Sequence, residues 1–368
     1  MTSRERLTRL FSGRPIDRVP IWLLNPFHPI KWYPDIYALE SYRPLVDYIE
    51  RYCDIFDRRY YNRGFCYSHS PAIEHMSENE LGSSGSIRRE IVRYKDIELT
   101  KSVVRDEGGQ TRLRYFVETI EDLDKVLSMP YLPPAFDVSS YWIEKDELAD
   151  RGLMMLDLGD PLEVLYHLMS AENFSIFSLT DFDKIIEFTD VMYERVYEFY
   201  EYFLERDIGE VFFIVGAEFA GPPLVAPEKF IQLSVRYVKG LVELIRSYGK
   251  WSIVHYHGNL FKVLNGMKSI GMDGLHTVEA PPIGDCTISQ AREVLGRETI
   301  LIGNVQYDDL KHKTRDDITQ MVAAVLEEAK SGRFILSPTA GPYEERLDDR
   351  TLDNYRAFVE AGLAYGKI

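Results

Sequence analysis

An α/β barrel with an elaborated amino-terminal part is the fold class that this sequence predicts, and three observations carry the prediction. Beyond residue 150, short β-rich runs alternate with runs of helical apolar spacing, the pattern of parallel βα units. The joints between them are short and marked by Gly or Pro. Polar and ionisable residues collect just after the strands, where parallel βα architectures carry their chemistry. The 368 residues suit one large barrel with an extension, so 1–368 reads as a single domain.

The first 150 residues form the elaborated part. Arg4–Phe11 predicts a short basic amphipathic helix and Val19–Leu23 a strand. Ser77–Ser86 (SENELGSSGS) is polar and rich in Gly and Ser, and reads as a loop. Ile97–Val104 and Thr111–Val117 flank the turn signal Asp106-Glu107-Gly108-Gly109, which predicts a β-hairpin over 97–117. Thr119 with Asp122 resembles a capping box before a helix Ile120–Ser128. The regular part, 151–368, follows. Leu153–Leu158 is a strand and Asp181–Leu204 a long helix rich in Tyr and Phe. Strand Glu210–Val215 precedes helix Pro227–Tyr248, and strand Trp251–His255 precedes helix Leu260–Ile270. Strand Gly274–Val278 leads to helix Ile288–Leu295, and Thr299–Ile302 to helix Asp316–Lys330. Strand Phe334–Leu336 and helix Thr351–Tyr365 end the series. The strand starts are too irregular for a solenoid repeat.

Composition narrows the function classes. Apolar residues are 45% and aromatic residues 13% of the chain, ample for a core. With 43 basic against 59 acidic residues the net charge is −16, which disfavours nucleic acid or an anionic membrane as the main partner. Cys53, Cys66 and Cys286 are widely spaced and odd in number, so no disulfide framework is implied. The opening MTSRERLTRLFSGRPIDRVP is too charged for a signal peptide, and no run of about 18 apolar residues occurs. A cytoplasmic protein is expected.

The candidate site is read off the strand ends. Asp157 and Asp160 end one run, Glu218 follows another, and His255, His257 and Asn259 end a third. Glu279 comes next, then Asn304 with Gln306, then Ser337 and Thr339. Side chains two apart share a strand face, so the two imidazoles of His255 and His257 converge. Two imidazoles and the Glu279 carboxylate suit zinc with an open position, where the ion polarises a bound oxygen or sulfur. A lone His or Glu after a strand is ordinarily a cap or loop residue; convergence brings the ligand reading of this set level with that one. Asp157, Asp160 and Glu218 are candidate substrate contacts. His276, on the opposite strand face from Glu279 by parity, and Cys286, after Pro281-Pro282, are secondary candidates for the metal. No zinc-protease helix, P-loop, nucleophile elbow or dinucleotide fingerprint is present, and Gly216-Ala-Glu-Phe-Ala-Gly221 has the wrong glycine spacing.

At these residues the chain resembles the uroporphyrinogen decarboxylase superfamily. The likeness begins at Arg6-Leu-Thr-Arg-Leu-Phe-Ser-Gly13-Arg14-Pro15-Ile-Asp17-Arg18-Val-Pro20. It continues through Val254-His-Tyr-His-Gly-Asn259, Glu279 with Gly284-Asp285, Gly303-Asn304-Val305 and Phe334-Ile-Leu-Ser-Pro338. It implies a (β/α)₈ TIM barrel with its site at the carboxyl ends of the strands. The heme-pathway decarboxylase carries arginines in an amino-terminal signature, whereas the corresponding Trp22-Leu-Leu-Asn-Pro-Phe-His28 has none, so a polycarboxylate lacks its clamp. The zinc methyltransferases of the superfamily are more similar. Of their His-x-Cys, acid and final Cys, His255 matches the His, His257 occupies the first Cys position, and Glu279 matches the acid. The final Cys falls near Thr339-Ala340, where no thiolate exists.

A ligand set poorer in thiolate is harder and suits an oxygen substrate. The resemblance then implies a zinc-dependent methyltransferase taking a methyl group from a small oxygen-bearing donor to a corrinoid protein or a thiol. Glu218 and Asp157 would orient substrate or manage protons, Asn304 and Tyr307 would line the pocket, and Trp22, Phe27, Trp32, Tyr33 and Tyr37 would shape an apolar wall. Cobalamin would arrive on a partner protein, since the chain has no Asp-x-His-x-x-Gly motif. A homodimer is implied by the family. Two alternatives stand beside this reading: a metal-independent decarboxylase or lyase using Asp157 or Glu218, and a binding barrel without catalysis.

Overall fold

A computed structural model of the chain describes residues 1–82, 85–106 and 109–368. Eleven strands are described: β1 (Ile55–Arg59), β2 (Glu74–Gly82), β3 (Gly85–Tyr94), β4 (Ile97–Asp106), β5 (Gly109–Arg114), β6 (Gly152–Gly159), β7 (Val211–Val215), β8 (Trp251–His255), β9 (Gly274–His276), β10 (Ile300–Val305) and β11 (Phe334–Pro338). Seven of them form one sheet in the order β1-β6-β7-β8-β9-β10-β11, and every pair in it is parallel. Each strand joins beside its predecessor, so the sheet winds in one direction, as in a barrel, and not doubly as in a dinucleotide fold.

Strand alternation sorts the core into two layers. Phe56, Met155, Phe213, Ile253, Ile302 and Ile335 fill the inner face together with Trp22 and with Leu7, Leu10 and Phe11 of the helix Ser3–Phe11, which plugs that end. Their neighbours Leu156, Phe212, Val254, Leu301 and Leu336 belong to the outer cluster under the helices. The inner set, continued two residues toward the carboxyl ends, is Arg58, Asp157, Val215, His255, Asn304 and Ser337.

Three expectations are corrected here. The resemblance implies eight strands, and among the described residues the sheet has seven. The expected strand Val19–Leu23 contributes one bridge, Ile21 to Leu336. Pro20 has no N–H to give, and the Ile21 N–H goes to the Asp54 carboxylate at 2.9 Å. Backbone bonds still reach both sheet edges: Leu336 N to Pro20 O and Trp22 N to Leu336 O, both 2.9 Å, on the β11 side, and Asp54 N to Ile21 O at 2.6 Å beside β1. Second, Ser77–Ser86 is not a loop; β2 and β3 run through it in a four-stranded antiparallel sheet ordered β2-β3-β4-β5. Most of β2 is exposed, so backbone pairing holds it with no apolar period for the sequence to display. Ser83 and Ser84 lie outside the described residues, as do Glu107 and Gly108 of the expected turn, though the hairpin β4–β5 itself is present. Third, the helix expected over Pro227–Tyr248 is broken into a 3₁₀ turn (Pro227–Lys229), a π turn (Ile231–Val235) and an α-helix (Arg236–Ser247). Among the described residues no helix is long and apolar enough to cross a membrane.

Asp54 ties the amino-terminal segment down. Its side chain is fully buried and accepts from Arg6 Nη1 at 2.6 Å, Arg18 Nη1 at 2.9 Å and the Ile21 amide. Removing one partner of a buried ion cluster strands the other charges, at a cost of about 3–5 kcal/mol. Asp54→Ala is therefore expected to lower the urea midpoint by that equivalent, and a loss below about 1 kcal/mol would show that the clamp is dispensable.

Candidate active site

The carboxyl ends of the strands open into a cavity of about 1130 Å³. Its floor is built from Arg58, Asp157, Phe213, His255, His257 and His276, and its sides from Trp32, Tyr33, Thr339, Ala340 and Tyr343. The antiparallel sheet supplies a further wall through His75, Arg88, Glu90 and Lys101.

Strand register assembles the histidines. His255 and His276 are Cα partners on β8 and β9, so their rings stack with centroids 5.0 Å apart and their Nδ1 atoms meet at 2.8 Å. The His257 ring stands edge-on to His255 at 4.6 Å, and its Nδ1 is 3.2 Å from Glu279 Oε1. The other oxygen of Glu279 accepts the Gly258 N–H at 2.8 Å. Burial, with the charge of His257 beside them, pushes both His255 and His276 well below the usual histidine range, so both are neutral. His257 shifts the other way. Burial opposes its charge, but the hydrogen bond and charge of Glu279 raise it. His276 Nε2 is buried without a hydrogen-bond partner among the described residues.

His276 therefore stands closer to the cluster than sequence parity implies. β9 ends at His276, so the alternation counted from it to Glu279 does not apply. Arg58 was missed altogether, because Ile-Phe-Asp-Arg-Arg does not read as a strand. Its guanidinium pairs with Asp157, donates to Tyr33 Oη at 2.8 Å, and lies over the Phe213 and Tyr33 rings at 4.9 and 5.2 Å. The alternation Phe56, Arg58 was the available signal. Arg63, also on the wall, pairs with Glu163.

The remaining sequence candidates divide. Asp157, His255 and His257 line the cavity, whereas Glu279 reaches it only through His257. Asn304 and Tyr307 do not line it; both are buried. The Tyr307 hydroxyl bonds Glu344, and its ring sits edge-on to Tyr343 at 5.6 Å, so it props the wall from behind. Of the aromatic segment, Trp32 and Tyr33 face the cavity, Trp22 fills the sheet interior, and Phe27 packs on Tyr37 at 5.5 Å. Cys286 is buried in the outer core, where desolvation pushes its thiol up to about 12. Asp160 caps the helix Pro161–Leu168, its Oδ1 accepting from Leu162 and Glu163 N–H at 2.9 and 3.0 Å. Gly216 follows β7 with φ +137, and a Cβ there would overlap that carboxylate. The neighbouring Glu218, like Asn304 and Tyr307, does not line the cavity, and burial pushes its carboxyl up to about 7.

The sequence model of the uroporphyrinogen decarboxylase (URO-D) family matches residues 87–364. The chain belongs to the uroporphyrinogen decarboxylase family. No curated protein sequence matches this family member. Among solved structures it is similar to a methyltransferase from Methanosarcina mazei, 17% identical, with a TM-score of 0.61 and 99% of each chain covered. It also resembles a B12-independent methionine synthase from Shewanella sp. W3-18-1, 9% identical, with a TM-score of 0.44 over 93% of this chain and 97% of the other. The first likeness is one of fold, and the second carries no argument.

The site of this uroporphyrinogen decarboxylase family member offers donor types that zinc accepts: neutral imidazoles, one with an orphaned nitrogen, and a carboxylate beside them. Among the described residues no three His, Cys, Asp or Glu are arranged so that they could hold a metal ion. Binding an ion would displace the His255–His276 and His257–Glu279 contacts. In metal-free protein Glu218 has a testable signature. Between about pH 4.5 and 7 the folded chain keeps a proton that the unfolded chain has released, so wild-type stability falls as pH rises through that window. The stability of Glu218→Gln relative to wild type is expected to grow by about 3 kcal/mol from about pH 4.5 to 8 in thermal melts. A difference independent of pH would contradict a buried, protonated Glu218.

Proposed function

We propose that this chain is a zinc-dependent methyltransferase that takes a methyl group from a methoxy-bearing small molecule and passes it to a corrinoid on a partner protein or to a thiol. The observation that carries the proposal is the gathering of His255, His257, His276 and Glu279 beneath an aromatic-walled cavity. His255, His257 and Glu279 would hold the ion, with His276 beside them. Zinc, when bound, would supply a Lewis acid that stabilises negative charge developing on the ether oxygen. Asp157, fixed by Arg58, orients the donor against Phe213 and Tyr33. Glu218, with its carboxyl pushed up to about 7, does not line the cavity and would manage a proton from behind His257, whose charge it helps to raise. The absence of a thiolate at Thr339-Ala340, both on the wall, supports an oxygen rather than a thiol as the group activated.

The metal-independent decarboxylase is the weaker reading. Arg58 and Arg63 stand on the cavity wall, but Asp157 and Glu163 already neutralise them, so neither is a clamp for substrate carboxylates.

After dialysis against zinc, elemental analysis is expected to find about one ion per chain, lost in His255→Ala, His257→Ala and Glu279→Ala. Chelator is expected to lower methyl transfer at least about 100-fold. Incubation of the zinc-loaded protein with methoxylated donors and free cob(I)alamin is expected to produce the visible spectrum of methylcobalamin. No product across a broad donor panel would sink the methyl-transfer reading, and turnover unaffected by chelator would favour the decarboxylase.

A further inference from the structure

The antiparallel sheet brings an unbalanced charge to the cavity. Glu90 and Lys101 are Cα partners on β3 and β4, with Lys101 Nζ 2.9 Å from Glu90 Oε2. Arg88, two residues back on the same face, has its Nε 3.5 Å from Glu90 Oε1. Lys31 lines the same cavity. Burial opposes the Glu90 charge, yet the Lys101 hydrogen bond and the charges of Lys101, Arg88 and Lys31 hold its carboxyl below the usual range. Two cations thus flank one carboxylate, and a third lines the same cavity. Elsewhere in the cavity arginines and carboxylates pair one to one, Arg58 with Asp157 and Arg63 with Glu163. The surplus positive charge stands against a chain whose net charge is −16. Lys101 Nζ also lies 5.6 Å from the Phe116 ring centroid, so an apolar surface adjoins the cations.

We propose that Lys31, Arg88 and Lys101 form a specificity subsite for an anionic group, carboxylate or phosphate, on a ligand whose aromatic or apolar body fills the cavity toward the histidines. The methyl donor would then be an aromatic methyl ether carrying an acid group; that identification rests on the proposed methyl transfer, whereas the subsite itself does not. Displacement of Glu90 by the incoming anion would release Arg88 and Lys101 to bind it alongside Lys31. Salt would weaken the contact, since Arg88 is largely exposed.

Calorimetric titration of the whole protein separates these claims. para-Methoxybenzoate and phenyl phosphate are expected to bind at least about tenfold more tightly than neutral para-methoxybenzyl alcohol at low salt, with the gap closing as salt rises. The relative strength of the two anions tells carboxylate from phosphate. Lys101→Gln is expected to weaken anion binding about tenfold and Glu90→Gln to strengthen it several-fold, with the neutral alcohol unaffected by either. Opposite signs from two neighbouring neutralisations are not produced by a structural role. Equal affinities for anion and alcohol, no binding by either anion, or same-sign effects would overturn the subsite. Anion binding without turnover of any methoxylated acid would overturn only the donor assignment.

Discussion

Parallel register between β8 and β9 is the constraint on which the candidate site depends. Neighbouring strands lie roughly 5 Å apart, so partners in register that face the same side must touch. His255 and His276 are such partners, and their stacked rings follow from pairing alone. The same pleat places Arg58 and Asp157 on the inner face two residues beyond Phe56 and Met155. A one-residue slip would turn each of these groups into the helix layer. Two things hold the register: the apolar plug under the sheet, and the Asp54 clamp that ties Pro20–Trp22 between β11 and β1.

What the sequence discloses follows from which forces leave a periodic trace. β8 to β11 are legible because their buried residues are mainly apolar and their ends are marked by Gly, Pro and polar groups. β1 leaves no such trace, since Asp57 and Arg58 are buried, and Arg59 half-buried, by pairing with Tyr33, Asp157, His28 and Glu144 rather than by being apolar. β2 is hidden for the opposite reason, its side chains being mostly in water. The convergence of His255 with His257 was readable from spacing two apart. The approach of His276 was not, because it depends on register between strands separated by a helix. Tyr307, placed after a strand, suggested a lining residue; its hydroxyl is instead captured by Glu344, far away in sequence.

Charge in the cavity is arranged by depth. At the floor, desolvation keeps His255 and His276 neutral, while Arg58 is tolerated because Asp157 and Tyr33 meet it directly. On the antiparallel sheet, where Arg88 and Glu90 retain water, a surplus of cations costs little. A ligand spanning both zones would meet neutral, polarisable groups at one end and net positive charge at the other.

Thr339 and Ala340 stand where the family resemblance would put a thiolate, and they do line the cavity. The gap is therefore one of chemistry, since the backbone reaches the site and the donor does not. Cys286 does not make it good, because its thiol lies in the outer core and burial holds its proton. The donors near one another are three imidazoles and a carboxylate. Nitrogen and oxygen ligands give less charge to a bound ion than thiolates do, leaving it a stronger Lewis acid toward oxygen. An ether oxygen, a poor leaving group unless its charge is stabilised, gains most from such an ion.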